Sequence, residues 1–471
     1  MDWTRNPGSF RDPAGFVFSR DARLYRQVNA GYEQAYVRLR ESGLYEALTR
    51  AGLLVASEEV ALRIDDAPPA FAVLAPQPIE FISYPFEWCF SQLKAAALLT
   101  LDIQTQALER GLVLRDASAY NVQFIGTRPL FIDTLSFGVL AEDEPWVAYR
   151  QFCQHFLAPL ALIASVDPSL GQLSRVHLDG VPLDLARRLL PTRRRWRPGI
   201  LIHLAMHARS AAKAPVDADR ATRARPVGRM GKTALLALAD SLRRTVQTLQ
   251  WNPPDTLWSS YRQHANYSAR GDAHKRQLVG DALARLCDAT ARPLVWDLGA
   301  NDGVYSRLAV DAGARVISFD LDPVVVEHHF RACRTEPSLP ILPLVQDLTN
   351  PTPALGWHHA ERPSLLDRGP ADVALALALV HHLVISGGVP LGAVARFFAA
   401  ACRRAIVEFV PKTDSQVVRM LSLREDTFAD YTKDGFERAF EPAFRTLSCA
   451  QIGDSERWLY VLERRQENRT V

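Results

Sequence analysis

A chain of 471 residues is too long for one ordinary domain, and 48% hydrophobic with 23% charged residues is the balance of globular protein rather than of a disordered or fibrous one. A net charge of +3 excludes a polyanion-binding role read from charge alone. Six scattered cysteines (Cys89, Cys153, Cys287, Cys333, Cys402, Cys449) show no C-x-x-C spacing, which argues against a zinc site and a disulfide framework and fits a reducing cytoplasm.

The opening Met1-Asp-Trp-Thr-Arg-Asn-Pro7 lacks the apolar core of a signal peptide, and the run Phe156 to Ala164 is too short to span a bilayer. The expectation is a cytoplasmic protein. Phe16-Val-Phe18 and Arg23 to Val28 read as a hairpin. Apolar residues at helical spacing (Tyr36, Leu39, Leu44, Leu48, Leu53) predict one helix from Tyr32 to Leu53, stopping near Gly52. Two short strands are expected around Val60 to Ile64 and Ile79 to Ser83, then a long helix from Phe90 to Arg110.

Leu112 to Phe124 and Pro129 to Leu135 read as two short strand pairs carrying Asp116, Asn121 and Asp133, followed by an apolar helix from Trp146 to Ala164. Asp, four residues, Asn, an apolar strand and a second Asp resemble the catalytic and metal-binding loops of the protein-kinase and aminoglycoside-kinase superfamily. The resemblance implies that Asp116 positions an acceptor hydroxyl while Asn121 and Asp133 hold magnesium. The departures are specific. Leu114 stands where the family has His, Thr134-Leu135 follow the second Asp in place of Phe-Gly, no Gly-rich phosphate loop is present, and Arg26 is the nearest basic candidate for the strand lysine. The competing reading is that Asp116 and Asn121 cap turns. A kinase-like α+β domain over residues 1–165, working or degenerate, is the expectation, with no metal ligand assigned.

Residues 166–290 read as a helical connector. Thr192-Arg-Arg-Arg-Trp-Arg-Pro198 is best taken as a solvated basic loop, with no strong nucleic-acid signal. Ser210 to Arg229 is rich in Ala, Arg, Pro and Asp and reads as a mobile linker. Gly228-Arg-Met-Gly-Lys-Thr233 mimics a phosphate loop, but Pro226 replaces its first glycine and no strand precedes it. Helices follow from Thr233 to Leu249 and from about Ala273 to Ala289, and Tyr261, Tyr267 and Ser268 between them line a ligand pocket or pack the sheet.

From residue 291 strands and helices alternate, which predicts a parallel sheet with helices on both faces. Leu294 to Leu298 runs through Asp297 into Gly299, Asn301 and Gly303. The strand Arg315 to Asp320 ends in a second acid, and Ile341 to Val345 leads to Asp347-Leu348. Asn301 and Val304 stand where a dinucleotide turn needs glycines, so the pyrophosphate cradle is incomplete. Acid-x-G-x-N-x-G with an acid closing the next strand instead resembles the class I S-adenosyl-L-methionine (SAM) methyltransferases. The resemblance implies SAM as cofactor, bound by Asp297, Gly299, Asn301, Gly303 and Asp320, with Asp347 and Leu348 at the adenine. The apolar strand Asp372 to Leu379 runs into His381-His382, Arg404 to Val410 carries Glu408, and Phe444 to Cys449 with Trp458 to Leu462 form a closing hairpin. Ligands bind beyond the carboxyl ends of such strands. His381, His382 and Glu408 are therefore the catalytic candidates, a base for the acceptor's proton or, in the plainer reading, strand-end and buried groups with internal partners. Lys412 and Tyr431 are further acceptor-side candidates, with Arg424 to Thr432 as a lid.

Taken together, Ser9 to Phe18, Asp116 to Phe137, Tyr149 to Leu160 and the SAM motifs resemble a bacterial, nodulation-protein-like methyltransferase group. The resemblance implies methyl transfer to an acceptor, with a small molecule or glycan favoured, and a kinase-like domain that positions it. A bifunctional kinase-methyltransferase and a non-catalytic SAM- or nucleotide-binding adaptor are the alternatives.

Overall fold

A computed structural model describes residues 3–64, 67–206, 230–254, 256, 267–287, 292–422 and 425–465. The chain divides into two compact units, residues 1–252 with 356–362, and residues 253–355 with 363–471. The expected connector 166–290 is thus shared between them. The expected linker 210–229, with Tyr261 and Arg424, lies outside the described residues.

The first unit opens with a five-stranded antiparallel sheet in the order β1-β2-β3-β5-β4, made of β1 (Trp3–Arg5), β2 (Gly15–Arg20), β3 (Arg23–Asn29), β4 (Ser57–Glu59) and β5 (Ala70–Pro76). The predicted hairpin is β2 and β3, turned by Asp21 and Ala22, both at positive φ (51° and 59°). A two-residue turn of that hand matches the strand twist. The single helix expected from Tyr32 to Leu53 is two, Glu33–Glu41 and Leu44–Arg50. Gly43, at φ 70°, breaks it, because the left-handed conformation cannot continue a right-handed helix.

The strands expected at Val60 to Ile64 and Ile79 to Ser83 are displaced. Val60 adds one bond to β5, its N to Val73 O at 2.9 Å, while Leu62 and Ile64 pack half-buried on the Phe16, Phe18 and Val73 cluster and the ladder itself forms at β4 and β5. At Ser83 the Gln123 side chain takes the ladder's place, accepting from Ser83 N (2.8 Å) and donating to Ser83 O (3.0 Å). The helix Phe90–Glu109 follows as predicted. Next come two antiparallel pairs, β6 (Leu112–Leu114) with β9 (Phe137–Val139), and β7 (Val122–Ile125) with β8 (Arg128–Phe131). The apolar helix runs from Tyr149 to Ser165 with a π-helical stretch at Cys153–Leu157. The helix Lys232–Thr248 lies along Phe90–Glu109, tied by Arg243 to Asp102 and by Lys94 to Leu249 O (2.6 Å). This order of elements is the kinase-like α+β architecture.

Residues 356–362 complete the unit. Glu361 receives Arg11 through bonds of 2.8 and 3.2 Å, and Arg362 lies 4.4 Å over the Tyr120 ring. The basic run at Thr192 forms a short helix, and Arg195 donates to Leu190 O and Arg188 O, closing the preceding helix end.

The second unit is a seven-stranded sheet in the order β12-β11-β10-β13-β14-β16-β15. Its strands are β10 (Leu294–Leu298), β11 (Arg315–Asp320), β12 (Ile341–Val345), β13 (Ala371–Ala376), β14 (Cys402–Phe409), β15 (Phe444–Gln451) and β16 (Trp458–Arg464). Five strands are parallel and β16 enters antiparallel between β14 and β15. Strand order 3-2-1-4-5-7-6 is the class I methyltransferase sheet, as expected. The helices Val304–Asp311, Pro323–Arg334 and Leu391–Ala401 connect the parallel strands. Val295, Val316, Ile341, Val373, Leu375 and Ile406 fill the core beneath. The order reverses between β10 and β13, and the two loops leaving those strands flank that switch point.

Candidate cofactor-binding site

The loop after β10 is shaped by backbone that few side chains tolerate. Gly299 (φ 75°), Asn301 (φ 48°) and Gly303 (φ 77°) all lie in the left-handed region. Gly299 N and Ala300 N both donate to Phe319 O at 2.9 Å, which locks the loop to the end of β11. At Gly303 a Cβ would fall 2.0 Å from His329 Nε2, so no side chain fits where the helix Val304–Asp311 begins.

Asp320, half-buried at the end of β11, accepts Asn301 N on Oδ2 and Asp322 N on Oδ1, each at 3.0 Å. A carboxylate has about four lone-pair positions, so these amides, with that of Leu321, orient Asp320 without exhausting its capacity to accept. Burial pushes its pKa up to about 6, against the pull of those amides. Asp297 is buried and accepts from Ser306 Oγ at 2.6 Å; burial lifts it to about 7. At the end of β12, Asp347 Oδ1 accepts Thr349 N (2.8 Å) and Thr349 Oγ (2.6 Å), with Leu348 half-buried beside it. Asp320, Asp347 and the Gly299 to Gly303 loop therefore line the carboxyl edge of three adjacent strands.

Across the switch point the strand expected to reach Leu379 stops at Ala376, and Ala378 turns at φ 50°. Leu379 Cδ1 lies 3.4 Å from where a Cβ on Gly299 would sit, so the two loops touch. His381 is buried, and its ring stands 4.1 Å from that of half-buried His382. Both imidazoles are held neutral by burial, His382 at about 4.

Glu408 has a different character. Its carboxylate is fully buried, 2.7 Å from Lys275 Nζ and 3.2 Å from Arg457 Nη1, and it accepts from the Tyr267 hydroxyl. Arg457 also donates to Asp414 at 2.8 Å. Burial alone would raise the Glu408 pKa, but Lys275 and Arg457 outweigh it and hold the group below the ordinary range. A carboxylate clamped by two cations is a poor proton acceptor. Glu408 corresponds to the plainer reading, a buried acid with internal partners. Sequence reasoning missed Lys275 and Arg457 because a lysine and an arginine far apart in the chain carry no local signal. Tyr267 reaches this cluster, whereas Ser268 caps the helix Ala269–Leu286 and donates to Asp454. Lys412 pairs with Asp426, and Tyr431 is buried with its hydroxyl on Val410 O. Tyr431 faces the core rather than an acceptor.

No protein-family model matches the chain. It is 35% identical over 478 residues to nodulation protein NoeA of Rhizobium meliloti (strain 1021), an alignment covering 98% of this chain and 96% of that protein. The chain belongs to the NoeA family.

Solved structures align with this NoeA-family chain over less than half its length. Magnesium protoporphyrin IX methyltransferase (ChlM) from Synechocystis PCC 6803, with bound S-adenosylhomocysteine, aligns at 18% identity over 44% of this chain and 93% of that one, TM-score 0.32. The bifunctional kinase-methyltransferase WbdD aligns at 17% identity over 43% and 42%, TM-score 0.29. The assignment of the second unit's fold rests on its strand order.

In the kinase-like unit of this NoeA-family member, each of the three expected polar groups has partners within the unit. Arg26, on β3, places Nη2 2.6 Å from Asp133 Oδ1 and 2.8 Å from Asp12 Oδ2. Asp133 also accepts Leu135 N (3.0 Å) and the Ser136 hydroxyl, and Ser136 Oγ receives Asn121 Nδ2 at 3.2 Å. Asp116 caps a turn through Ser118 N at 2.9 Å. Both Asp133 oxygens are engaged, Oδ1 by Arg26 and Leu135 N and Oδ2 by the Ser136 hydroxyl. Among the described residues no group of three or more His, Cys, Asp or Glu could hold a metal ion, and no helix is long and apolar enough to cross a membrane.

Proposed function

We propose that this NoeA-family protein is a SAM-dependent methyltransferase acting on a small-molecule or glycan acceptor. The observation that carries the reading is the Gly299 to Gly303 loop, bonded through Asn301 N to an Asp320 carboxylate that keeps unfilled lone pairs at the switch point of a methyltransferase sheet. These residues fit the cofactor. Asp320 would take the ribose hydroxyls, the glycines let the loop turn through left-handed backbone beside it, and Asp347 beside Leu348 would receive the adenine amino group.

SAM supplies a methyl group already activated on sulfur, so the chain's own task is placement and exclusion of water. Half-buried His382, whose pKa burial lowers to about 4, can accept a hydrogen bond from the acceptor as a neutral ring but, like Glu408, is a weak base for its proton. Glu408 anchors rather than reacts. The first unit is proposed to position the acceptor; the Arg26 to Asp133 ion pair gives the bifunctional kinase reading no support.

Titration calorimetry with S-adenosylhomocysteine tests the proposal. Asp320→Ala, which removes two hydrogen bonds to a charged acceptor, is expected to weaken binding at least about tenfold. Absence of heat and of a thermal shift at millimolar ligand in the wild-type protein would sink the reading.

A further inference from the structure

The short helices that follow Gly180 carry a charge and an exposure that the methyltransferase reading does not use. Arg187, Arg188, Arg193, Arg194, Arg195 and Arg197 fall within eleven residues, and Asp184 is the only acid between Asp179 and Asp217. The whole chain carries +3, so without these six it would carry −3. Little of that charge is answered locally. Arg188 meets Asp184 at 3.4 Å with both side chains exposed, and Arg195 donates to Leu190 O and Arg188 O. The side chains of Arg193, Arg194 and Arg197 have no carboxylate partner among the described residues.

Apolar side chains stand out of the same segment. Leu183, Ala186 and Leu190 along one helix, and Ile200 and Leu204 along a later one, are buried at spacings of three and four residues, which fixes the segment to the first unit. Gly199 sits so close to the helix Lys232–Thr248 that a Cβ would fall 2.2 Å from Thr245 Oγ. The platform is therefore firmly seated. Leu189 and Ile202, outside the buried stripes, are 40% and 48% exposed, and Trp196 between them in the chain is 66% exposed. Aliphatic and indole surface rimmed by cations marks an interaction surface rather than a solvated loop.

We propose that residues 183–202 dock the protein on an anionic phospholipid surface. This goes beyond the methyltransferase reading and does not rest on it. Guanidinium forks match lipid phosphates, an indole ring settles at headgroup level, and Leu189 and Ile202 gain by entering the acyl boundary. Nucleic acid shares the phosphates, but single strands are gripped by stacking, for which the segment offers one aromatic ring, and the two aliphatic side chains would gain nothing there. Since no described helix can cross a bilayer, the contact lies on the membrane surface.

Co-sedimentation of the full chain with vesicles tests the assignment. Binding is expected to phosphatidylcholine vesicles containing about one-third phosphatidylglycerol, and not to phosphatidylcholine alone. Raising salt from about 0.1 M to about 1 M should release most of it. Arg193→Gln, Arg194→Gln and Arg197→Gln together should weaken the partition about a hundredfold, at about fivefold per cation. These three are chosen because Arg195 holds the preceding helix end. Trp196→Ala should weaken it at least about fivefold. Circular dichroism checks that both variants fold, and inorganic phosphate at the lipid's own phosphorus concentration should displace nothing. Failure to bind the anionic vesicles, equal binding to neutral ones, displacement by inorganic phosphate, or binding that either variant leaves unchanged would overturn the proposal. So would tighter binding to a single-stranded oligonucleotide of matched phosphate content, which would make the segment a nucleic-acid contact.

Discussion

Asp320 titrates where its two jobs oppose each other. Its pKa stands at about 6 in the folded chain against an ordinary 3.8, so the folded state holds the proton more readily than the unfolded one. Its contribution to stability is complete below about 3.8 and is lost as pH rises through about 6. The ribose binding proposed for the ionised carboxylate runs the other way. S-adenosylhomocysteine affinity is expected to be about tenfold weaker at pH 5 than at pH 7.5, and Asp320→Asn should flatten that dependence. Glu408 makes the opposite case, with its pKa held down by Lys275 and Arg457. It stabilises the fold above the ordinary glutamate range and loses that effect as pH falls. Glu408→Gln leaves two buried cations short of a counter-charge and should cost about 3–5 kcal/mol in denaturant unfolding. A cost below about 1 kcal/mol would show that the cluster is not the anchor described.

Elements were legible where their cause is local. The Gly299 to Gly303 turn and the acid closing β11 are written in consecutive residues, because a left-handed backbone and a strand end are each set within a few positions. β4 and β5 were misplaced because alternating apolar residues specify an extended chain and a buried face, not a partner. Leu62 and Ile64 pack half-buried on that face outside the ladder, which Val60 N extends by one bond to Val73 O. The early end of β13 was hidden for a related reason. Alanine at position 378 gives no sign of positive φ, since the conformation is imposed by the switch-point packing. That strain is testable. Ala378→Gly relieves a left-handed non-glycine residue costing about 1–2 kcal/mol and adds about 0.5–1 kcal/mol of unfolded-state entropy. A net stabilisation of about 0.5 kcal/mol is expected as a higher denaturant midpoint, and a lower midpoint would show the turn to be unstrained.

At the scale of the whole molecule, two units with separate cores need not melt together. Differential scanning calorimetry is expected to resolve two transitions. S-adenosylhomocysteine at a hundred times its Kd should stabilise one of them by about 2.7 kcal/mol, since every residue of the proposed site lies in the second unit. Magnesium-ATP should move neither, because Arg26 already neutralises Asp133. A magnesium-ATP shift of the other transition would restore the bifunctional reading. The sequence resemblance reached this level correctly for both architectures, but the Arg26 ion pair depends on a strand and a distant loop meeting, which no motif records.

The kinase-like unit is built from two stretches of chain, and the second is seven residues long. Glu361 and Arg362, encoded downstream of β12, hold Arg11 and cover Tyr120. No single cut in the gene therefore yields that unit intact. A product ending at residue 252 lacks the carboxylate that meets Arg11 of its own amino-terminal loop, so cutting the chain between the two units also removes part of the first.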